Sequence, residues 1–318
     1  MLWSDLIFTI CFFLQIVIGL LANSTLLIVY VSSLVAQPRW RKPRDLILMH
    51  LTMANIVIFL TQCVPGIVMA FGWKPLGGTI GCQITLLIRR VARALSICTT
   101  CVLGVFQAIT ISPSNSWWKQ LKPRIPNYIL PSFVFFWILN ILVEVNINFN
   151  IIASKNITIQ VRVHSLKSCL NTLPETYVSI IQFITVITLR DIFFVFLMSW
   201  ASGYMVIVLH QHRKRVKHIH HARLSPKSSP ECRATHTILF LIISFVCFYC
   251  INSGITLTVS LLGEDAGILF DLNMFLGSCF SFFCPLVLIS NDPRVPWPQW
   301  ALKKLRNVAT LLDLRNEQ

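Results

Sequence analysis

Residues 80–111 read IGCQITLLIRRVARALSICTTCVLGVFQAITI. The run holds no proline and no acidic residue, and it is longer than the roughly 20 apolar residues a helix needs to cross the hydrocarbon core of a bilayer. It also holds Arg89, Arg90 and Arg93, and a charged side chain near the bilayer centre costs about 2.5 to 3.5 kcal/mol on insertion scales. Plotted at about 100° per residue, Arg89, Arg93, Ser96, Thr100, Gly104 and Gln107 fall within an arc of roughly 80°, with Arg90 at its edge. The opposite side carries Val91, Leu95, Cys98, Val102, Phe106 and Ile109. The run therefore predicts a membrane helix whose polar stripe faces a bundle interior or a water-filled cavity and whose other face is compatible with lipid. Such a helix needs companions.

Six further runs supply them: 6–31, 46–71, 128–153, 177–209, 237–262 and 268–289. Each is continuous and far longer than the roughly 10 alternating residues of a barrel strand, so each predicts a helix. The whole chain of 318 residues is 55% hydrophobic and 12% charged, about half the charge of an ordinary soluble domain. The first run lacks a basic start and is too long for a cleaved signal peptide, so it reads as an uncleaved anchor. Lys and Arg number 4, 3, 7 and 5 in the segments after helices one, three, five and seven. They number 0, 1, 3 and 0 in the amino terminus and the other three connections. That imbalance predicts an outer amino terminus and a cytoplasmic carboxyl terminus. The expected fold class is an all-α, seven-transmembrane helix bundle. Residues 1–293 form the bundle and 294–318 a short cytoplasmic tail, where Trp297, Trp300 and the following basic residues suit an interfacial helix. The net charge of +15 lies mostly in short connections, which argues for topology rather than nucleic acid.

The buried arginines are the first place to look for chemistry. Arg89 lies seven residues after Cys82, about 10 Å deeper at 1.5 Å per residue, which puts the three guanidiniums in the outer half of the bundle. Two uses compete. One is a clamp for a polar or anionic ligand, since guanidinium pairs well with carboxylate, sulfate or phosphate. The other is structural pairing with Glu144, Asp191 or Asp271, complicated by Arg190 beside Asp191. Candidate ligand contacts are Arg89, Arg90, Arg93, Ser96 and Asp191.

Cys82 at the outer end of helix three and Cys169 in the second outer loop are expected to form a disulfide. Cys63 competes but lies deeper in its helix. The CxxC pairs Cys98/Cys101 and Cys247/Cys250 sit in apolar helices and read as packing residues. Asn156-Ile157-Thr158 is a glycosylation sequon, whereas Asn23-Ser24-Thr25 lies inside helix one. The third inner loop, about 210–236, mixes His210, His212, His218, His220 and His221 with Arg213, Lys214, Arg215 and Lys217, which suits lipid headgroups or a protein partner better than a metal. No metal site, cofactor motif, GxSxG elbow, HExxH or P-loop is present in the sequence, so an enzyme is not expected.

Seven helices with an outer amino end resemble G-protein-coupled receptors, yet rhodopsin-like marks are missing. Helix three ends Gln107-Ala108-Ile109 instead of Asp-Arg-Tyr, and helix seven carries Cys284-Pro285-Leu286-Val287-Leu288 instead of Asn-Pro-x-x-Tyr. LILMHLTMANIVIFL from Leu46, RVARALSICTTCVLGVFQAITISP from Arg90, SWASGYMVIVLHQHRKRVKHIH from Ser199, SPKSSPECRATHTIL from Ser225 and FYCINS from Phe248 resemble the vomeronasal type-1 pheromone receptors. The resemblance implies a plasma-membrane chemosensory receptor for small pheromone-like molecules, acting through a heterotrimeric G protein of the inhibitory class. The family's disulfide and glycan would map to Cys82, Cys169 and Asn156. Arg89 and Ala94 depart from the expected His and Gly. Basic residues such as Arg213, Lys214 and Arg215 would meet the G protein. The expected ligand site lies between helices three, five, six and seven. A bitter-taste-type receptor, or an anion channel or transporter using the same arginines, are the alternatives.

Overall fold

The computed structural model describes residues 3–36, 43–70, 78–113, 122–153, 177–219, 230–262, 267–292 and 294–295. Its helices are α1 Trp3–Ala36, α2 Pro43–Ala70, α3 Gly78–Ile111, α4 Ile125–Ala153, α5 Tyr177–Ile219, α6 Pro230–Leu262 and α7 Gly267–Asn291. One helix grows from each of the seven apolar runs, as expected where lipid leaves every backbone N–H and C=O to find a partner within its own segment. Six contain a described stretch long and apolar enough to cross a membrane, and the corresponding stretch of α7, Phe275–Asn291, is shorter. α2 and α6 both begin at a proline, in the first turn where its missing N–H removes no helical bond.

Two expectations need correction. The third inner connection is expected at 210–236, but α5 continues to Ile219 and α6 starts at Pro230. Hydropathy marks where apolar sequence stops, whereas Gln211, Arg213, Lys214 and Arg215 include good helix formers that extend the helix beyond the bilayer. The second concerns the face of α3 opposite its arginines, which is not turned to lipid. α3 packs against α2, α4, α5 and α6, and 72% of its apolar stretch is buried, against 22% for α4 and α5. Leu95 and Val91 pack with Ala54 of α2 and Phe136 of α4, and Cys98 accepts a bond from Asn140 Nδ2 of α4 at 3.6 Å. A helix at the centre of seven is surrounded by protein, so an apolar face there meets other helices.

The main core joins Leu26 and Tyr30 of α1, Leu48 and Leu51 of α2, Cys101 and Leu103 of α3, Met198 and Met205 of α5, Ile238 and Ile242 of α6, and Cys284 and Leu288 of α7. Side chains such as Leu130, Phe135, Ile138, Phe193, Phe196 and Trp200 of α4 and α5 point outward, an apolar coat that suits a lipid solvent. Polar bridges cross the interior. His50 Nδ1 lies 2.8 Å from Thr99 Oγ1, and its Nε2 accepts the Trp137 indole N–H at 3.0 Å, joining α2, α3 and α4. Because an indole can only donate, Nε2 carries no proton and Nδ1–H is the donor to Thr99. Asn23, inside α1 as expected, donates to Ser281 O of α7 at 3.0 Å, while Ser281 Oγ and Ser96 Oγ both donate to Asn55 Oδ1.

Candidate functional site

A small cavity of about 30 Å³ opens in the bundle where α2, α3, α6 and α7 meet. Its apolar wall is made by Ile58, Ile97, Phe245, Phe248, Leu276 and Phe280, and its polar lining by Arg93, Ser96, Tyr249, Asn252 and Ser281, with Gly277 between them. Phe245 and Phe280 meet edge to face, with ring centroids 4.6 Å apart, fixing α6 against α7 beneath it. In this conformation the cavity is smaller than a small-molecule site and a ligand must widen it, but apolar walls with a few convergent polar groups are the usual chemistry of such sites.

The arginine stripe divides on folding. Arg93 and Ser96 line the cavity; Arg89 and Arg90 do not. Arg89 stands one turn from Arg93 and is repelled by it, and Arg90 interacts with Glu144. Among the described residues Arg93 forms no ion pair or hydrogen bond, although it feels the opposing charges of Asp191 and Arg190. Glu144 and Asp191, two of the three carboxylates expected as structural partners, are ion-paired by a different arginine. Arg190 of α5 donates to Glu144 Oε1 at 3.1 Å and to Asn140 Oδ1 at 3.2 Å, both on α4, and to Asp191 Oδ1 at 2.9 Å. Asp191 Oδ2 accepts from the Tyr249 hydroxyl of α6 at 3.1 Å. Asp191 therefore sits behind Tyr249 instead of lining the cavity, and α5 is joined to the site by this bond. Of the four helices expected around the ligand site, α3, α6 and α7 line this cavity, and Ile58 of α2 stands where α5 is expected.

Toward the other end of the bundle, α3 is tied to α5 and α6. Gln107 Nε2 donates to Thr235 Oγ1 of α6 at 2.7 Å, and Ser112 Oγ lies 2.9 Å from the Tyr204 hydroxyl of α5. Lys122 Nζ caps the end of α3 by donating to Ser112 O at 2.6 Å.

Sequence reasoning missed Tyr249, Asn252, Gly277 and the role of Arg190. A signal was there. Tyr249, Asn252, Ser253 and Thr256 recur at helical spacing in an otherwise apolar helix six, a second polar stripe facing that of helix three. Cys98 and Cys101 are buried as packing residues, while Cys247 and Cys250 are exposed on the outer surface of α6 instead of packed; all four are free thiols. Arg213, Lys214 and Arg215 fall on the helical extension of α5, but their side chains, with those of Cys82 and Asp271, lie outside the described residues. So do Cys169, Asn156 and the tail beyond residue 295.

A central buried helix packed against α2, α4, α5 and α6, with a cavity where α2, α3, α6 and α7 meet, defines a seven-helix membrane protein with the rhodopsin architecture. Squid rhodopsin superposes with a TM-score of 0.65 over 91% of this chain and 82% of its own, at 13% identity. The family model of the vomeronasal organ pheromone receptors matches residues 6–300, and the chain belongs to that family. It is 35% identical to human vomeronasal type-1 receptor 3, covering 89% of this chain and 90% of that one. It is 34% identical to vomeronasal type-1 receptor 4 of Pongo pygmaeus, covering 88% and 93%. Olfactory receptor class A-like protein 1 of Danio rerio is 32% identical, covering 90% and 89%.

Proposed function

We propose that this protein is a plasma-membrane chemosensory receptor that binds a small pheromone-like molecule in the α2–α3–α6–α7 cavity and passes the event to a heterotrimeric G protein. The observation that carries the site is Arg93: a cation lining an apolar, half-open cavity with no described carboxylate within ion-pairing distance. A guanidinium inside the bundle without an ion-paired carboxylate is costly, and a ligand bearing a strong acceptor group relieves that cost. Ser96 adds a hydroxyl beside it. The clamp read from the sequence narrows to Arg93 and Ser96, with Arg89 and Arg90 adding positive field, and Asp191 setting Tyr249.

In this reading the amino end faces outward, residues 1–293 are the receptor body and 294–318 the cytoplasmic tail. Cys82–Cys169 closes the second outer loop and Asn156 carries a glycan. The ligand binds one bundle conformation better than another, which is the only way it can move the equilibrium. The inner ends of α5 and α6 then separate from α3, with Gly254 and Pro285 as flex points, and Arg213, Lys214 and Arg215 meet a G protein of the inhibitory class.

The test is G-protein activation in cells expressing the chain, screened against neutral, cationic and anionic small odorants and steroids. Arg93→Ala is expected to lose roughly tenfold or more in potency at unchanged surface expression, the worth of one charge-assisted hydrogen bond. A response indifferent to Arg93→Ala would remove the clamp. A ligand-independent anion current in place of G-protein activation would replace the receptor reading by the channel.

A further inference from the structure

Asn252 lies on α6 and lines the cavity, yet it is only 2% exposed. Its side-chain oxygen Oδ1 is buried and has no hydrogen-bond partner among the described residues. A carboxamide oxygen held away from water without a donor is destabilising, and native structures rarely retain one without a use. Its surroundings point to that use. A Cβ built on Gly277 of α7 would lie 3.4 Å from Asn252 Oδ1 and 3.6 Å from Arg93 Nη1, so the acceptor and the cation approach the same bare stretch of α7 backbone. Arg93 can only donate and Asn252 Oδ1 can only accept. The missing side chain of Gly277 leaves the gap between them open to a ligand.

We propose that Asn252 and Gly277 determine ligand specificity, so that the cavity selects a molecule whose polar group both accepts from Arg93 and donates to Asn252. This inference rests on the ligand site proposed above and deepens it. A hydroxyl or a primary amide on a compact apolar body meets the requirement. A ketone, ether or ester accepts from Arg93 but leaves Asn252 without a donor. Sites built to hydrogen-bond a hydroxyl reject an analogue lacking it, because their own polar group is then stranded.

Borneol and camphor share one rigid skeleton and differ by a hydroxyl against a carbonyl. Their affinities for the full-length receptor in lipid nanodiscs, read by thermal stabilisation, test the proposal. The wild type is expected to bind borneol about tenfold tighter than camphor. Asn252→Leu is expected to bring the two near parity while leaving camphor bound. Gly277→Ala is a second, milder probe. Its methyl fits at ordinary van der Waals distance, so the helix is not disturbed, but it stands between the two groups and should erase the preference. A wild type without the preference, or a preference that survives in Asn252→Leu and Gly277→Ala, overturns the inference. If in that case Arg93→Ala still weakens both probes, the site stands and only the selectivity falls. If neither probe binds and Arg93→Ala changes nothing, the ligand site fails and this inference falls with it.

Discussion

Gly19 has no room for a side chain: a Cβ there would stand 2.5 Å from Cζ of Phe59, across the α1–α2 contact. The Phe59 ring is fully buried and cannot swing aside. Gly19→Ala is therefore expected to destabilise the receptor by about 1–3 kcal/mol through overpacking, measured as a lower unfolding temperature in detergent. Phe59→Leu in the same chain should recover part of the loss. Gly254, the proposed flex point of α6, is the opposite case, since no atom lies within 4 Å of its Cβ position. Gly254→Ala should fold at least as well as wild type, because alanine is the better helix former by roughly 1 kcal/mol. Reduced signalling at undiminished stability would mark Gly254 as a hinge; unchanged signalling would assign it no such part. Neither distinction is visible in sequence, where both are single glycines in apolar runs.

Arg190 is the hub at the scale of elements, because one guanidinium joins α4 to α5 and, through Asp191, to Tyr249 of α6. Glu144 is 1% exposed and Arg190 11%, so removing the cation takes the ion pair from two buried carboxylates. Arg190→Ala is expected to cost about 3–5 kcal/mol, seen as loss of folded receptor at the cell surface. Arg190→Lys should be only a partial rescue, since an ammonium lacks the fork that reaches two carboxylates at once. If Arg190→Ala expressed and unfolded like wild type, the network would have no structural weight. The helices themselves were legible, because crossing lipid demands long uninterrupted apolar runs that nothing else in a chain imitates. Their partners were not. Hydropathy placed Arg89, Arg90, Arg93 and Arg190 inside the bilayer without saying which one the carboxylates would choose, because that depends on how the helices are rotated against one another. The apolar face of α3 was misread for the same reason: a wheel separates polar from apolar but cannot distinguish a lipid neighbour from a protein one. The stripe of Tyr249, Asn252 and Thr256 was legible and overlooked.

On the scale of the whole molecule, two sets of contacts hold the end of the bundle opposite the cavity. Arg294, just past α7, grips Asp45 of α2 with both terminal nitrogens at 2.8 and 3.1 Å, binds Asp292 at 2.8 Å and lies over the Tyr30 ring of α1. Burial raises the Asp292 carboxyl, but the hydrogen bonds and charge of Arg294 outweigh it and hold it below the ordinary carboxylate range. Its bonds to Asp292, then to Asp45, keep the Arg294 guanidinium above its ordinary value. A depressed carboxylate contributes stability above its unfolded pKa of about 4, lost only as pH falls lower, and a raised guanidinium contributes stability below its unfolded pKa, lost only as pH rises through the raised value. The Arg294–Asp292 pair is thus charged between about pH 5 and 8, and its contribution to stability should be flat there. The second set is uncharged and is the one that must break if α6 is to leave α3. Gln107 is 5% exposed and Thr235 fully buried, with 2.7 Å between donor and acceptor. Opening α6 exchanges that bond for water, whereas Gln107→Leu removes it from the closed state without a comparable loss in the open one. A net difference of about 1 kcal/mol multiplies the open population about fivefold. Gln107→Leu is accordingly expected to raise ligand-independent G-protein activation several-fold, with the ligand-evoked maximum unchanged and potency slightly improved. A variant with wild-type basal activity at equal surface expression would mean that the bond persists in both conformations, and that α6 moves, if it moves, about some other contact.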